Sequence, residues 1–352
     1  MNEAVMLKEQ ILLTVLMPVY NASAHLREAM ASILQQTFTN FELLIVNDGS
    51  TDDTVKIIRE YNDPRIRLLE NEKNMGISET LNIGIRAASS DLIARMDADD
   101  ICYPNRLQKQ YEFMKENPDC AMVSCYVRVI SNDGVFVRQE IHRDRFLYYT
   151  LQFECNIYHP AVMFRRQPVM QVNMYDRPYA EDYDLFWKIA SVYKINQIEE
   201  VLMDYRLSNN SLHKVTKKDE YDVALMEVKR RNIQHFLPAK VKVPDEYILF
   251  YQYDFQPLLS SENFGQVLKC VQLFKRISYN IIKRVNPNNF DQRCMQAYKN
   301  KKYYMMLYIK PYLSKQKWLM LCLLLTEFRV IFKSIPAFKK RFVHVLNPQK
   351  IN

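Results

Sequence analysis

Glycine is scarce in this chain of 352 residues: only Gly49, Gly76, Gly84, Gly134 and Gly265 occur. A sequence so poor in glycine places it where backbone geometry demands it. Four of the five precede residue 140, and three lie near loops that follow apolar, strand-like runs. Long apolar runs are missing as well, which excludes a simple membrane-spanning helix. The seven cysteines form no CxxC pair, which argues against a disulfide scaffold and a cysteine zinc site and suits a reducing compartment. Repeats and low-complexity tracts are absent, and 48% hydrophobic with 25% charged residues excludes wholesale disorder. The apolar run Ile11 to Val19 is short, is broken by Thr14 and Pro18, and has only Lys8 as a basic flank, so no signal peptide is expected.

Acidic residues are also scarce in one half. Residues 1–239 hold 28 Lys and Arg against 34 Asp and Glu, whereas residues 240–352 hold 20 against 6. This asymmetry predicts two regions with different partners, a catalytic domain over 1–238 and a basic, mainly helical region over 239–352.

The first 130 residues alternate strand and helix signals. Strands are expected at Ile11–Met17, Phe41–Val46, Ile66–Leu69, Asp91–Met96 and Ala121–Ile130, with helices between them. Asn21 and Ser23 can cap the first helix, and Ser50 or Thr51, with Asp53 completing a capping box, the second. The order predicts an α/β fold with a mostly parallel sheet covered by helices on both faces. Ligands of such sheets bind beyond the carboxyl ends of the strands. That rule selects Tyr20-Asn21, Asp48-Gly49-Ser50 and Asp97 to Asp100. Further on, Asn132-Asp133-Gly134 signals a hairpin turn, helices are expected at 144–153 and 182–192, and a strand at 161–164.

Three acidic groups could carry chemistry. Asp97-Ala98-Asp99 at a strand end can converge on a hard cation, or simply begin a helix. Asp48 can accept a hydrogen bond from a base or ribose, or serve a cap. Glu181-Asp182-Tyr183-Asp184 opens an amphipathic helix, where a carboxylate can act as general base or as an N-cap.

Together these residues resemble glycosyltransferase family 2, the inverting nucleotide-sugar transferases of the GT-A fold. The matching segments are Val15 to Asn21, Leu44 to Asp52, Asn74 to Ser78, Ala94 to Asp100 and Ala180 to Asp184, in the family's order, and the likeness covers about residues 12–235. It implies a GT-A, Rossmann-like central sheet and transfer of a sugar from a nucleotide-sugar, UDP before GDP or dTDP. The acceptor implied is a hydroxyl of a saccharide or lipid-linked saccharide in bacterial surface-polysaccharide synthesis, with a cytoplasmic location. Pro18, Val19, Tyr20 and Asn21 would line the nucleotide pocket. Asp48 would contact the base, and Lys73, Asn74 and Gly76 would help hold the nucleotide-sugar, together with Arg95, which precedes the metal motif, and Ala98 within it. Asp97 would sit near ribose and phosphate, and Asp99, with Asp97 beside it, would hold Mn²⁺ or Mg²⁺. Asp182 would be the catalytic base and Glu181 its neighbour.

The chain departs from the family pattern after the last core strand. Tyr205-Arg206-Leu207-Ser208 lacks the histidine many relatives carry there, and the next one is His213. Arg206 could offer charge to a diphosphate or be a surface residue; His159 could line the acceptor site or be structural. Two alternatives stand beside the transferase reading. A nucleotidyltransferase of related fold should carry a glycine-rich loop with Arg and Lys after the first strand, which Tyr20-Asn21-Ala22-Ser23 does not provide. A non-catalytic nucleotide-sugar-binding protein would have no need to retain Asp99 and Asp182. In the basic region, residues 301–341 could meet an anionic membrane surface: Trp318 to Phe332, with Lys315, Lys317, Lys333, Lys339, Lys340 and Arg341 around it, suits either an in-plane anchor or a core helix with a solvated basic face. No nucleic-acid motif is present, and no nucleic-acid partner is expected.

Overall fold

The structure, a computed structural model, describes residues 11–140, 146–207, 218–261, 263–290 and 292–325. Ser208, His213 and the anchor residues beyond 325 lie outside the described residues.

Three β/α units and a fourth strand build the first half in the expected order. β1 (Leu13–Val19), β2 (Phe41–Asn47), β3 (Ile66–Glu70) and β4 (Leu92–Arg95) alternate with α1 (Leu26–Leu34), α2 (Thr54–Arg59) and α3 (Ile77–Ala87). Every residue of β1, β2 and β4 is buried, so these strands read as apolar runs, as parallel strands covered on both faces do. They pair in parallel in the order β3-β2-β1-β4. Gly84 lets α3 lie close on the sheet: a Cβ there would stand 2.2 Å from Leu16 Cδ1.

The second half is mixed. β5 (Ile101–Cys102), α4 (Arg106–Glu116), β6 (Cys120–Ile130), β7 (Phe136–Glu140), α5 (Leu147–Thr150), β8 (Met163–Arg165), α6 (Arg166–Gln171), α7 (Glu181–Val192) and β9 (Lys194–Arg206) follow. The sheet continues from β4 through β8, β6, β9 and β5, with β7 beside β6. β8 runs antiparallel to both β4 and β6, while β6 and β9 are parallel. The parallel character expected from sequence therefore holds through β4. A three-residue antiparallel strand then separates the two parallel parts. The expected helix over 144–153 is a single turn, α5, within the described residues.

Over the described residues, the chain forms two compact units, residues 1–232 with 285–293 and residues 233–284 with 294–352, where sequence had suggested one boundary after 238. The return of 285–293 to the first unit rests on two asparagines. Asn286 Nδ2 donates to the Ala190 and Ser191 carbonyls at 3.0 and 3.1 Å. Asn288 Nδ2 donates to Ala190 and Tyr193 at 3.0 and 2.7 Å, closing the end of α7. α8 (Lys218–Gln234) leads out of the first unit. The second unit is helical: α9 (Asp245–Phe250), α10 (Gln256–Leu259), α11 (Phe264–Lys283), α12 (Arg293–Ile309) from Cys294 on, and α13 (Lys315–Leu325). Its core gathers Tyr251, Phe274 and Ile277 from α11 and its neighbours, all buried. Among the described residues no helix is long and apolar enough to cross a membrane. All seven cysteines are free thiols.

Candidate active site

The carboxyl edge of β1, β2 and β4 is tied together by short polar side chains. Asn21 sits in the left-handed region (φ 47°), which asparagine tolerates better than most residues. Its Oδ1 accepts from the Thr51 amide at 2.8 Å, and its own amide donates to Ser50 Oγ at 3.0 Å. The two loops expected to hold the nucleotide are therefore cross-linked. The capping box expected at Asp53 is absent. Asp52 does that work instead, accepting from the Thr54 amide at 3.0 Å and the Ser23 amide at 3.1 Å, and these bonds hold its carboxyl down at about 2 against the opposing effect of burial. Neither Asn21 nor Ser23 caps α1, which begins at Leu26 without a side-chain cap.

Asp48 is buried, and its carboxylate is committed within the protein. Oδ1 accepts from Asn71 Nδ2 at 2.9 Å and the Met75 amide at 2.8 Å, and Oδ2 from the Gly76 amide at 2.9 Å. It thus orders the loop that carries Lys73, Asn74 and Gly76. Gly49 completes this close approach: its φ is +74°, and a Cβ there would stand 2.9 Å from the Lys73 carbonyl carbon. Pro18 and Val19 are buried, while Tyr20 exposes half of its surface at the strand end.

β4 delivers the acidic motif. Its partner strand β1 pairs Leu16 with Arg95, and the Met96 amide donates to the Leu16 carbonyl at 3.1 Å. Beyond this point Asp97, Asp99 and Asp100 bring one carboxylate oxygen each within 4.8 Å of one another, and Ala98 between them is buried. Burial first, then the charge of Asp97, pushes the Asp99 carboxyl up to about 6. Burial pushes Asp100 well above the carboxylate range, with its Oδ2 buried and without a hydrogen-bond partner. Sequence reading counted Asp97 and Asp99 as ligands and gave Asp100 no role, although it stands in the same quoted motif.

Two arginines shape the cluster. Arg95 is buried and ion-paired with Asp97, and its Nε has no hydrogen-bond partner. Arg206 is buried too, contrary to the surface-residue reading. Its Nε donates to the Asp99 carbonyl at 2.8 Å, Nη1 to the Asn132 carbonyl at 2.8 Å and Nη2 to Glu28 at 2.6 Å, while its amide donates to Asp100 Oδ1 at 2.8 Å. The end of β9 thereby fixes the backbone of the acidic turn. Beneath it, the fully buried Arg106 of α4 donates to the Arg95 carbonyl at 2.9 Å and to Gln110 at 3.0 Å.

Glu181 and Asp182 open α7. The residue before them, Ala180, is buried in the left-handed region at φ 52°. For an alanine this costs roughly 1–2 kcal/mol, and it turns the chain so that the helix begins with both carboxylates at the cavity. Asp184, also in this segment, is almost fully buried and anchors the helix start. It takes Arg177 at 3.3 Å, Lys188 at 2.8 Å and Arg231 of α8. Burial, then the neighbouring Asp182, pushes Glu181 up to about 8, and burial also raises Asp182. His159, buried, lies between Tyr175 (Nε2 to OH 2.7 Å) and Glu181 (Nδ1 to Oε1 3.8 Å). Burial lowers its pKa well below the usual histidine range, so it is neutral at physiological pH.

One cavity of about 610 Å³ joins these groups: Arg95, Asp97 and Asp99 line it together with His159, Glu181, Asp182 and Arg206. Tyr158, Tyr205 and Tyr221 complete much of its apolar wall. Of the expected site residues, Arg95, Asp97, Asp99, Glu181 and Asp182 share this cavity. Pro18, Val19, Tyr20, Asn21, Asp48, Lys73, Asn74 and Gly76 do not line it and gather instead at the neighbouring strand ends.

Comparison with known proteins identifies the family and the fold. The model of the family described as glycosyl transferase family 2 matches residues 14–173. An uncharacterized glycosyltransferase of Haemophilus influenzae is 30% identical over 243 residues, 64% of this chain and 74% of that protein. The O-antigen biosynthesis glycosyltransferase WbnJ of Escherichia coli is 30% identical over 64% of this chain and 92% of its own. The Escherichia coli UDP-Glc:alpha-D-GlcNAc-diphosphoundecaprenol beta-1,3-glucosyltransferase WfgD is 32% identical over 58% and 80%. Among solved structures, S. aureus TarS 1-349 in complex with UDP-GlcNAc superposes with a TM-score of 0.55 at 18% identity, covering 82% of this chain and 92% of that one. The fold is the GT-A arrangement that the motifs implied. The chain belongs to glycosyl transferase family 2 and is a glycosyltransferase.

Proposed function

We propose that this enzyme moves a sugar from a nucleotide-sugar, a UDP-sugar first of all, to a hydroxyl of a saccharide or lipid-linked saccharide, with inversion at the anomeric carbon, in the cytoplasmic synthesis of a surface polysaccharide. The observation that carries this reading is the single cavity shared by the Asp97–Asp99 motif and the Glu181–Asp182 pair. An inverting transfer needs the leaving group held on one side of the sugar and the acceptor's proton taken on the other. The names of the two Escherichia coli relatives support the polymer class and, for WfgD, a UDP-sugar and a diphosphoundecaprenol acceptor.

The three clustered carboxylates suit a hard dication. Their oxygens lie within 4.8 Å of one another, burial and then the charge of Asp97 raise Asp99, and Asp100 holds a buried oxygen unused. Mn²⁺ or Mg²⁺ bound by Asp99 and Asp97, with Asp100 beside them, would offset the charge that develops on a departing nucleoside diphosphate. Arg95 adds a buried cation on the same wall. Asp48 orders the loop of Lys73, Asn74 and Gly76 against the base and sugar, and Tyr20 offers its exposed ring beside them. At the other end, burial and then the neighbouring Asp182 push Glu181 up to about 8, and burial raises Asp182 as well. A raised carboxylate is the stronger base, and Asp182 takes the proton of the attacking hydroxyl.

The test is release of nucleoside diphosphate from a panel of UDP-, GDP- and dTDP-sugars with short saccharide acceptors and Mn²⁺ or Mg²⁺. A UDP-sugar should be consumed, chelation should stop the reaction, and NMR should find the product's anomeric configuration opposite to the donor's. No release from any donor, or a product that retains configuration, overturns the proposal.

A further inference from the structure

The helical unit presents a surface that sugar transfer does not use. In α12, Cys294, Ala297, Tyr298, Lys301, Met305 and Ile309 are buried and form one face by their spacing. The other face carries Tyr303, Tyr304, Leu307 and Tyr308, each between 45% and 62% exposed, and Tyr312 follows at 54%. Tyr304 stacks on Tyr308 at 6.0 Å and meets Tyr303 edge-on at 5.5 Å, so the rings form one patch. Seven of the 18 large apolar or aromatic side chains found exposed among the described residues lie between 303 and 320. A water-facing helix does not ordinarily gather them so.

Charge tells what covers the patch. Residues 264–325 contain twelve Lys and Arg against a single acid, Asp291. Lys299 and Lys310 stand exposed at either end of the tyrosine face, and Lys315 and Lys317 follow. We infer that this face seats the enzyme on an anionic phospholipid surface, with α12 lying in the plane of the headgroups. Tyrosine joins an apolar body to a polar tip and prefers the membrane–water boundary, and lysines beside it meet anionic lipid. A second copy of the chain fits poorly, because two identical cationic faces repel. A nucleic acid fits poorly too, because these rings pack on one another instead of standing apart as base platforms. The sequence suggested a membrane-facing region over 301–341 with its apolar stretch from 318 on; over 318–322 the exposed large apolar residues are Leu319 and Met320, and the larger patch lies earlier in the region, at 303–312.

The inference stands independently of the donor and acceptor. It is tested by flotation of the full-length protein with vesicles of phosphatidylcholine alone or with 30% phosphatidylglycerol. Wild-type protein should bind the anionic vesicles at least tenfold more tightly and leave them in high salt. Tyr303→Ser/Tyr304→Ser/Tyr308→Ser should weaken binding at least tenfold. Lys299→Glu/Lys310→Glu, which touches only exposed side chains, should weaken it at least twentyfold, since each lysine near an anionic surface contributes about fivefold. Donor turnover in solution should stay at the wild-type level in both variants, which separates this inference from the transfer reading. Equal binding to neutral and anionic vesicles, or undiminished binding by both variants, overturns it. A concentration-dependent dimer or a bound oligonucleotide lost in both variants, with no lipid binding, also overturns it.

Discussion

Glu181 holds its proton up to a pH of about 8 because burial opposes the charged form and Asp182 adds a second negative charge beside it. In the unfolded chain the same carboxyl titrates near 4.5. The folded state therefore binds the extra proton between these values, and stability present below pH 4.5 is lost as pH rises through about 8. Glu181→Gln should flatten this dependence: its melting temperature should exceed that of wild type at pH 8.5 and approach it at pH 4.5. A wild-type protein that grows more stable over that range contradicts the assignment. Arg206 gives a second residue-scale outcome. Arg206→Ala leaves the Asp99 and Asn132 carbonyls and Glu28 without their donor, at about 2–4 kcal/mol. Urea denaturation should show that loss as a lower midpoint, and Mn²⁺ stabilisation should weaken with it. Asp97, Asp99 and Asp182 were legible from sequence because carboxylates in short motifs at strand and helix starts are visible without a fold. The burial of Arg206 was not, because the partners that bury it come from residues 28, 99, 100 and 132.

Elements differ in how much of themselves they show. β1, β2 and β4 are buried throughout and announce themselves as apolar runs, so the order through α3 could be read directly. β7 is exposed along most of its length, and β9 mixes buried and exposed positions with Glu199 and Glu200 in its middle. Neither offers a clean period, and the antiparallel insertion of β8 follows from tertiary pairing alone. The packing of α3 on β1 supplies the test at this scale. Gly84→Ala gains roughly 1 kcal/mol of helix propensity, yet a methyl 2.2 Å from Leu16 Cδ1 overpacks a fully buried contact, which costs typically 1–3 kcal/mol. The net effect should be destabilising by up to about 2 kcal/mol. Leu16→Ala in the Gly84→Ala background should then cost less than Leu16→Ala alone, measured as a double-mutant cycle. Additive losses would mean that the contact has relaxed.

At the scale of the molecule, charge divides the chain more plainly than hydrophobicity does. The acidic catalytic half and the basic helical half were legible as a shift in composition, whereas the return of residues 285–293 to the first unit was not. That return depends on Asn286 and Asn288 finding the carbonyls at the end of α7, a pairing with no local signature. β4 and α7, some 85 residues apart in sequence, present their carboxylates to one cavity, as the proposed division of labour between metal site and base requires. This division of labour is tested most directly by comparing Asp182→Asn and Asp99→Ala with wild type for Mn²⁺-dependent nucleotide binding by calorimetry and for sugar transfer to acceptor. Asp182→Asn should bind nucleotide and Mn²⁺ within about threefold of wild type and lose transfer by at least about 10²-fold, while Asp99→Ala should lose both. Transfer at wild-type rates by both variants would contradict the assignment of the two walls.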